Sequence, residues 1–159
     1  MKWLPYHRFE FLSPLKKEAA IEAMAKRVEP MRWLRWRWPS SDNDERFEGD
    51  MTPDGFKGHR IIGYRNSFIP QLQIVVTSEA RGSRVQITMQ LHPLIWIFVA
   101  VWATAFVVIA PTLLVTSPNV MTTLLTFLVF GAIYAMTMGG FWFEANKQEA
   151  TLRGIFQAS

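Results

Sequence analysis

The segment Arg32–Trp38 (RWLRWRW) sets three arginines and three tryptophans in seven positions. Such interleaving suits two chemistries. Guanidinium groups beside indole rings can hold phosphates and stack bases, as single-strand nucleic-acid grooves do. Near an anionic bilayer the same arginines are each worth about 1 kcal/mol, and the indoles settle at the level of the headgroups. A third reading is structural: in a strand, Leu34, Trp36 and Trp38 share one face and Arg35 and Arg37 the other, so the rings would join a core. Charge balance argues against nucleic acid, because residues 1–92 carry 15 Lys and Arg against 11 Asp and Glu, a weak field for a nucleic-acid domain. Arg32, Trp33, Arg35, Trp36, Arg37 and Trp38 therefore stand as candidates for lipid or partner contact, with the structural strand as the alternative, and nucleic acid is not expected as a partner. The acidic stretch that follows, SSDNDE, lacks the spacing and glycine of a calcium loop.

A second constellation is GYRNSFIPQL, residues 63–72. Asn66, Ser67 and Pro70 supply turn chemistry, whereas Phe68 and Ile69 put apolar side chains at a hairpin tip flanked by Arg60 and Arg65. Either Phe68 folds back to plug the end of the sheet, or the tip dips into lipid or a partner while Arg65 meets a phosphate or carboxylate. A third possibility is an enzyme whose polar residues meet only on folding, which a pocket converging Arg60, Arg65 and a carboxylate would favour.

Other chemistry is missing. The chain has no cysteine, which excludes disulfides, thiolate metal sites and cysteine nucleophiles. His7, His59 and His92 are too scattered to form a metal site by spacing. No Walker loop, dinucleotide fingerprint, HExxH or nucleophile elbow appears. No catalytic residue, metal or cofactor is expected.

The elements that must position these residues divide sharply by composition. A net charge of +4 coexists with a slightly positive mean hydropathy of +0.09, which points to two chemically different halves. From Val85 to Phe143 there is no Asp, Glu, Lys or Arg. Within that run Leu94–Leu114 and Val120–Phe143 each reach the ~20 residues that a ~30 Å hydrocarbon layer requires of a helix. The intervening TSPN supplies a turn. Two such helices exceed what a small soluble domain could cover, so a transmembrane hairpin is expected. Arg81 and Arg84 precede the first span, Lys147 and Arg153 follow the second, and the connecting loop has no cation, which predicts both termini in the cytoplasm. Pro5, His7, Arg8 and Glu10 interrupt any secretory h-region at the start. Trp96 and Trp142 fit an interfacial aromatic belt, and Trp102 lies deeper. In the second span Gly131, Ala135 and Gly139 recur every four residues, a groove for close helix approach by the first span, a second copy or a partner membrane protein.

The N-terminal part reads as α+β. Ser13 and Pro14 form a helix start, Ala20, Ile21, Met24 and Val28 an apolar stripe, Glu22 and Lys26 an i,i+4 pair, and Pro30 a stop. Strands are expected at Arg46–Met51, Phe56–Arg65, Gln71–Thr77 and Arg84–Leu91, joined by short turns into an antiparallel meander, with Tyr6–Phe11 as an edge strand. In the last strand Val85, Ile87, Met89 and Leu91 alternate with Gln86, Thr88 and Gln90, one dry face and one wet. It runs through His92 and Pro93 into the first span almost without linker. Ala145, Leu152, Ile155 and Phe156 make an amphipathic tail expected to return onto the domain.

The order FEGDMTPDGFKGHRIIGYRNSFIPQL, a strand ending in LHP, two apolar spans and the Phe141–Ala145 FxxEA tail resembles small bacterial two-span inner-membrane proteins with an N-terminal cytoplasmic domain. The resemblance implies a bacterial inner-membrane setting and carries no activity, substrate or catalytic residue. The expected organisation is a cytoplasmic α+β domain at 1–92, a transmembrane helical hairpin at 93–143 and a cytoplasmic C-terminal helix at 144–159. The expected function is a membrane-anchored interaction or assembly module without catalysis, with membrane lipids, a second copy or a membrane protein as partners. The alternative is a module that binds a lipid or small apolar ligand in a cavity lined by residues such as Ile62, Ile74 and Ile87.

Overall fold

The computed structural model of the chain describes residues 3–30, 46–64, 66–116 and 119–157. Strand β1 (Tyr6–Ser13) is followed by helix α1 (Lys17–Ala25), β2 (Val28–Glu29), β3 (Phe47–Thr52), β4 (Gly55–Arg60), β5 (Gln71–Glu79), β6 (Gly82–Gln90) and two long helices, α2 (Pro93–Thr116) and α3 (Val120–Gln157). The strands form one six-stranded sheet in the order β1-β6-β5-β4-β3-β2. Every pairing is antiparallel except β2 with β3. The architecture is thus the expected α+β meander and helical hairpin, with Tyr6–Ser13 as the edge strand and a two-residue parallel addition that sequence did not foretell.

Alternation decides which face is dry. The register sets Phe11 opposite Val85 and Phe9 opposite Ile87 across β1 and β6, and Ile74 opposite both Ile87 and Phe56 in the sheet centre. Phe47, Phe56, Leu72, Ile74, Val85, Ile87 and Met89 are buried on that face. Full burial of a side chain of this size is worth about 1.5–3 kcal/mol, so this layer carries most of the domain's stability. Ile74 and Ile87 are therefore part of a packed core that also includes Phe141, Leu152 and Phe156 of α3. On the opposite face lie Arg8, Glu10, Gln73, Arg84, Gln86 and Thr88, which no described helix covers. Glu10 bridges that face by accepting from Arg84 at 3.1 Å and Gln86 at 3.2 Å.

Helix α1 begins later than expected. Lys16 stands at its N-cap without a side-chain cap, because Ser13 is committed elsewhere as the last residue of β1. Its hydroxyl accepts from the Leu15 N–H at 3.2 Å and donates to the Phe156 carbonyl at 2.5 Å. A short polar side chain that closes a turn is not available to cap a helix. The stripe survives in Ala20 and Met24, both buried, and Glu22 and Lys26 pair at 2.9 Å; Val28 belongs to β2.

Helices α2 and α3 are long and apolar enough to cross a membrane. Only 6% of the apolar window in each is buried within the protein, which distinguishes them from core helices of a globular domain. Asn119 caps α3, its side chain accepting from the Met121 N–H at 2.9 Å. Helix α3 then continues for 38 residues, about 57 Å at 1.5 Å per residue. Its apolar part ends at Phe143, yet the helix does not break there. The tail packs on the domain as expected, and does so as a continuation of α3: the sheet and α1 pack against the stripe Phe141, Ala145, Leu152 and Phe156.

Candidate functional site

Two fully buried charged side chains meet where α3 passes from its apolar part onto the sheet. Glu144 is the first charge after the uncharged run and falls on the inward stripe of α3, spaced by three or four residues from Phe141 and Gln148. Arg60 ends β4, and strand alternation turns it to the helix face beside Phe56 and Gly58. The two meet as an ion pair, Arg60 Nη1 to Glu144 Oε2 at 3.3 Å, with both side chains fully buried. Tyr64 donates its phenol proton to the other carboxylate oxygen, Oε1.

The loop carrying Tyr64 is laid along the helix by further contacts. Asn66 Nδ2 donates to the Gly140 carbonyl at 3.2 Å, and Asn66 Oδ1 accepts from the Phe68 N–H at 2.9 Å. Gly140 is required by close approach: a Cβ there would stand 3.0 Å from the Phe68 ring and 3.2 Å from Asn66 Oδ1. Gly140→Val is expected to lift this loop and cost about 1–3 kcal/mol. Thermal unfolding of the detergent-solubilised chain checks this, with Gly139→Val, where nothing lies within 4 Å, expected to melt like the wild type.

A second cluster tethers β1 to the same helix. His7 Nε2 lies 2.8 Å from Glu149 Oε2, and Arg153 donates to Glu149 Oε1 from Nη2 at 2.8 Å and Nε at 3.0 Å. The Arg153 guanidinium also covers the rings of Phe9 and Phe11 at 5.2 and 5.1 Å. Burial pushes the Glu149 carboxyl up, but the hydrogen bonds and charges of His7 and Arg153 outweigh it and hold the group below its ordinary value. A depressed carboxylate stabilises the fold above its unfolded pKa, and that contribution is lost as pH falls through the lower folded value. Stability should therefore drop on the acid side of the ordinary glutamate range, and Glu149→Gln should flatten that limb in a series of Tm against pH.

Chemically, the Arg60–Glu144–Tyr64 cluster is a latch. The guanidinium and carboxylate neutralise each other, and the phenol is spent on the carboxylate, so β4, the loop after it and α3 are held as one body. No group of three or more His, Asp or Glu side chains able to hold a metal occurs among the described residues.

The residues singled out from sequence fare differently. Arg32, Trp33, Arg35, Trp36, Arg37, Trp38 and Arg65 lie outside the described residues. Phe68 does not project from a hairpin tip: it is partly buried and packed on the core beside Gly140, because the Asn66 turn folds it back. Gly131, Ala135 and Gly139 are exposed and do not receive the first span. The α2–α3 contact is made instead by aromatic rings, with Trp102 and Phe106 against Phe130 at 5.6 and 4.7 Å and Phe106 against Phe127 at 5.4 Å. Glu144, Tyr64, His7 and Glu149 were not legible as site residues. The available signal was position, a lone carboxylate opening the polar end of an otherwise apolar helix stripe.

Comparison of the chain with family models, curated proteins and solved structures finds no match.

Proposed function

We propose that the protein is a membrane-anchored interaction or assembly module that works without catalysis, with its α+β domain fixed at the cytoplasmic face of a bacterial inner membrane. The observation that carries this reading is the uninterrupted α3, which forms one apolar helix of the hairpin and, past Phe143, one wall of the domain core. A flexible tether would leave the domain free to tumble, whereas a continuous helix latched through Glu144 fixes its orientation. The sheet face bearing Arg8, Gln73, Gln86 and Thr88 is then offered in one direction. Cations flank the two apolar helices on the domain side, which supports cytoplasmic placement of both termini.

The reading is tested by placing a photoreactive residue at Gln73 or Thr88 of the full chain in its native membrane. Discrete cross-linked species from both positions are expected. Only the uncross-linked monomer from both, under conditions that label lipid-facing Leu128, would contradict it.

A further inference from the structure

Between α2 and α3 lies a cavity of about 420 Å³, within the ~300–1,000 Å³ range of small-ligand sites. Trp96, Trp102 and Phe106 of α2 face Phe127, Phe130 and Gly131 of α3 across it. Three features define what fits. Among the described residues no charged side chain lines it, so these walls offer an ionised group no partner. The two hydroxyls on its walls are already used, since Tyr134 donates to the Trp3 carbonyl at 3.0 Å and Thr137 to the Ile133 carbonyl at 2.9 Å, which leaves a predominantly apolar lining. Along α2 it extends from Trp96 to Phe106, about 15 Å of helix, which equals one leaflet of a ~30 Å hydrocarbon layer.

The position of the cavity along the helices supplies the direction. Trp96 is in the first turn of α2, and Met138, at the matching end of α3, immediately precedes the domain-packed stripe. The N-terminal Trp3–Pro5 segment closes the wall at this level, held by the Tyr134 hydrogen bond. At Gly131 nothing lies within 4 Å of where a Cβ would stand, so the side chain missing there is part of the space.

We infer that this cavity is a binding site for one acyl chain of a phospholipid from the leaflet next to the domain. The inference rests on the membrane placement in the proposed function and adds a specific ligand to it. The chain lies parallel to the helices with its ester end at Trp3 and Trp96 and its methyl end at Phe106 and Phe127.

The test uses the full chain reconstituted in dioleoylphosphatidylcholine vesicles, re-extracted in mild detergent and weighed intact by native mass spectrometry. The wild type should retain one phosphatidylcholine per chain. Gly131→Leu and, separately, Ala103→Phe should each lower the retained fraction at least fivefold by filling the cavity. Gly139→Leu, equally open but outside the cavity, should leave it unchanged. Circular dichroism identifies any variant that has lost its helices, and the other cavity variant then decides. Equal retention by all the proteins, or none by the wild type, overturns the inference. If the chain enters vesicles stably but shows no Gly131-dependent lipid, the inference alone fails; if it never leaves the aqueous phase, the membrane placement fails first.

Discussion

Glu144→Ala is expected to destabilise the protein by about 3–5 kcal/mol, because it takes from the fully buried Arg60 guanidinium the carboxylate it faces. The cost arises mainly from the charge left behind. Replacing both partners with methionine should therefore recover much of it, since an apolar pair of similar volume carries no desolvation debt. Tyr64→Phe should cost less, about 1 kcal/mol, as it removes one hydrogen bond and leaves the ion pair intact. Thermal unfolding in one detergent of the wild type, Arg60→Met, Glu144→Met and the variant carrying both gives the coupling directly as a double-mutant cycle. Additive single losses would mean that Arg60 and Glu144 do not act as a pair. The same latch joins the apolar helix to the sheet, so Glu144→Ala should also make the loop at 61–70 more accessible to protease.

Gly82→Val is expected to be comparably severe for a different reason. Gly82 opens β6 with φ near +118°, a region that L side chains avoid, and a Cβ there would sit 2.1 Å from the Ser13 carbonyl oxygen. Backbone strain of about 1–3 kcal/mol adds to about 1–3 kcal/mol for displacing neighbours. The neighbour that must move is backbone at the end of β1, whose Ser13 hydroxyl is bonded to the Phe156 carbonyl, so the disturbance reaches the far end of α3. Loss of the cooperative melting transition, read by near-UV circular dichroism, is the expected outcome. A Tm within a degree of the wild type would show that this turn does not constrain the fold.

Periodicity made much of the fold readable. The alternation of Val85, Ile87, Met89 and Leu91 predicted a half-buried strand, and those four residues are buried. The length and composition of the two apolar stretches predicted the hairpin helices that the structure contains. What stayed hidden depended on distant or competing partners. Nothing local joins Arg60 to Glu144, which are 84 residues apart in the chain. Ser13 had the right neighbours for a cap, but its hydroxyl is claimed by Leu15 and Phe156, the latter 143 residues away. The composition change at Phe143 resembled a domain boundary, whereas helical hydrogen bonds are indifferent to whether a side chain meets lipid or a sheet. The small-residue repeat of Gly131, Ala135 and Gly139 offered the closest approach to α2, yet the large rings of Trp102, Phe106 and Phe130 present more contact area and set the packing. The continuity of α3 from its apolar part into the domain core is likewise a property that no composition shift could reveal.

Fractionation of cells expressing the full chain, followed by an alkaline carbonate wash of the membranes, tests the central claim most directly. A chain whose two apolar helices are solvated by lipid tails stays in the washed pellet and enters solution only with detergent. Recovery as a compact monomer from the detergent-free supernatant would contradict the account.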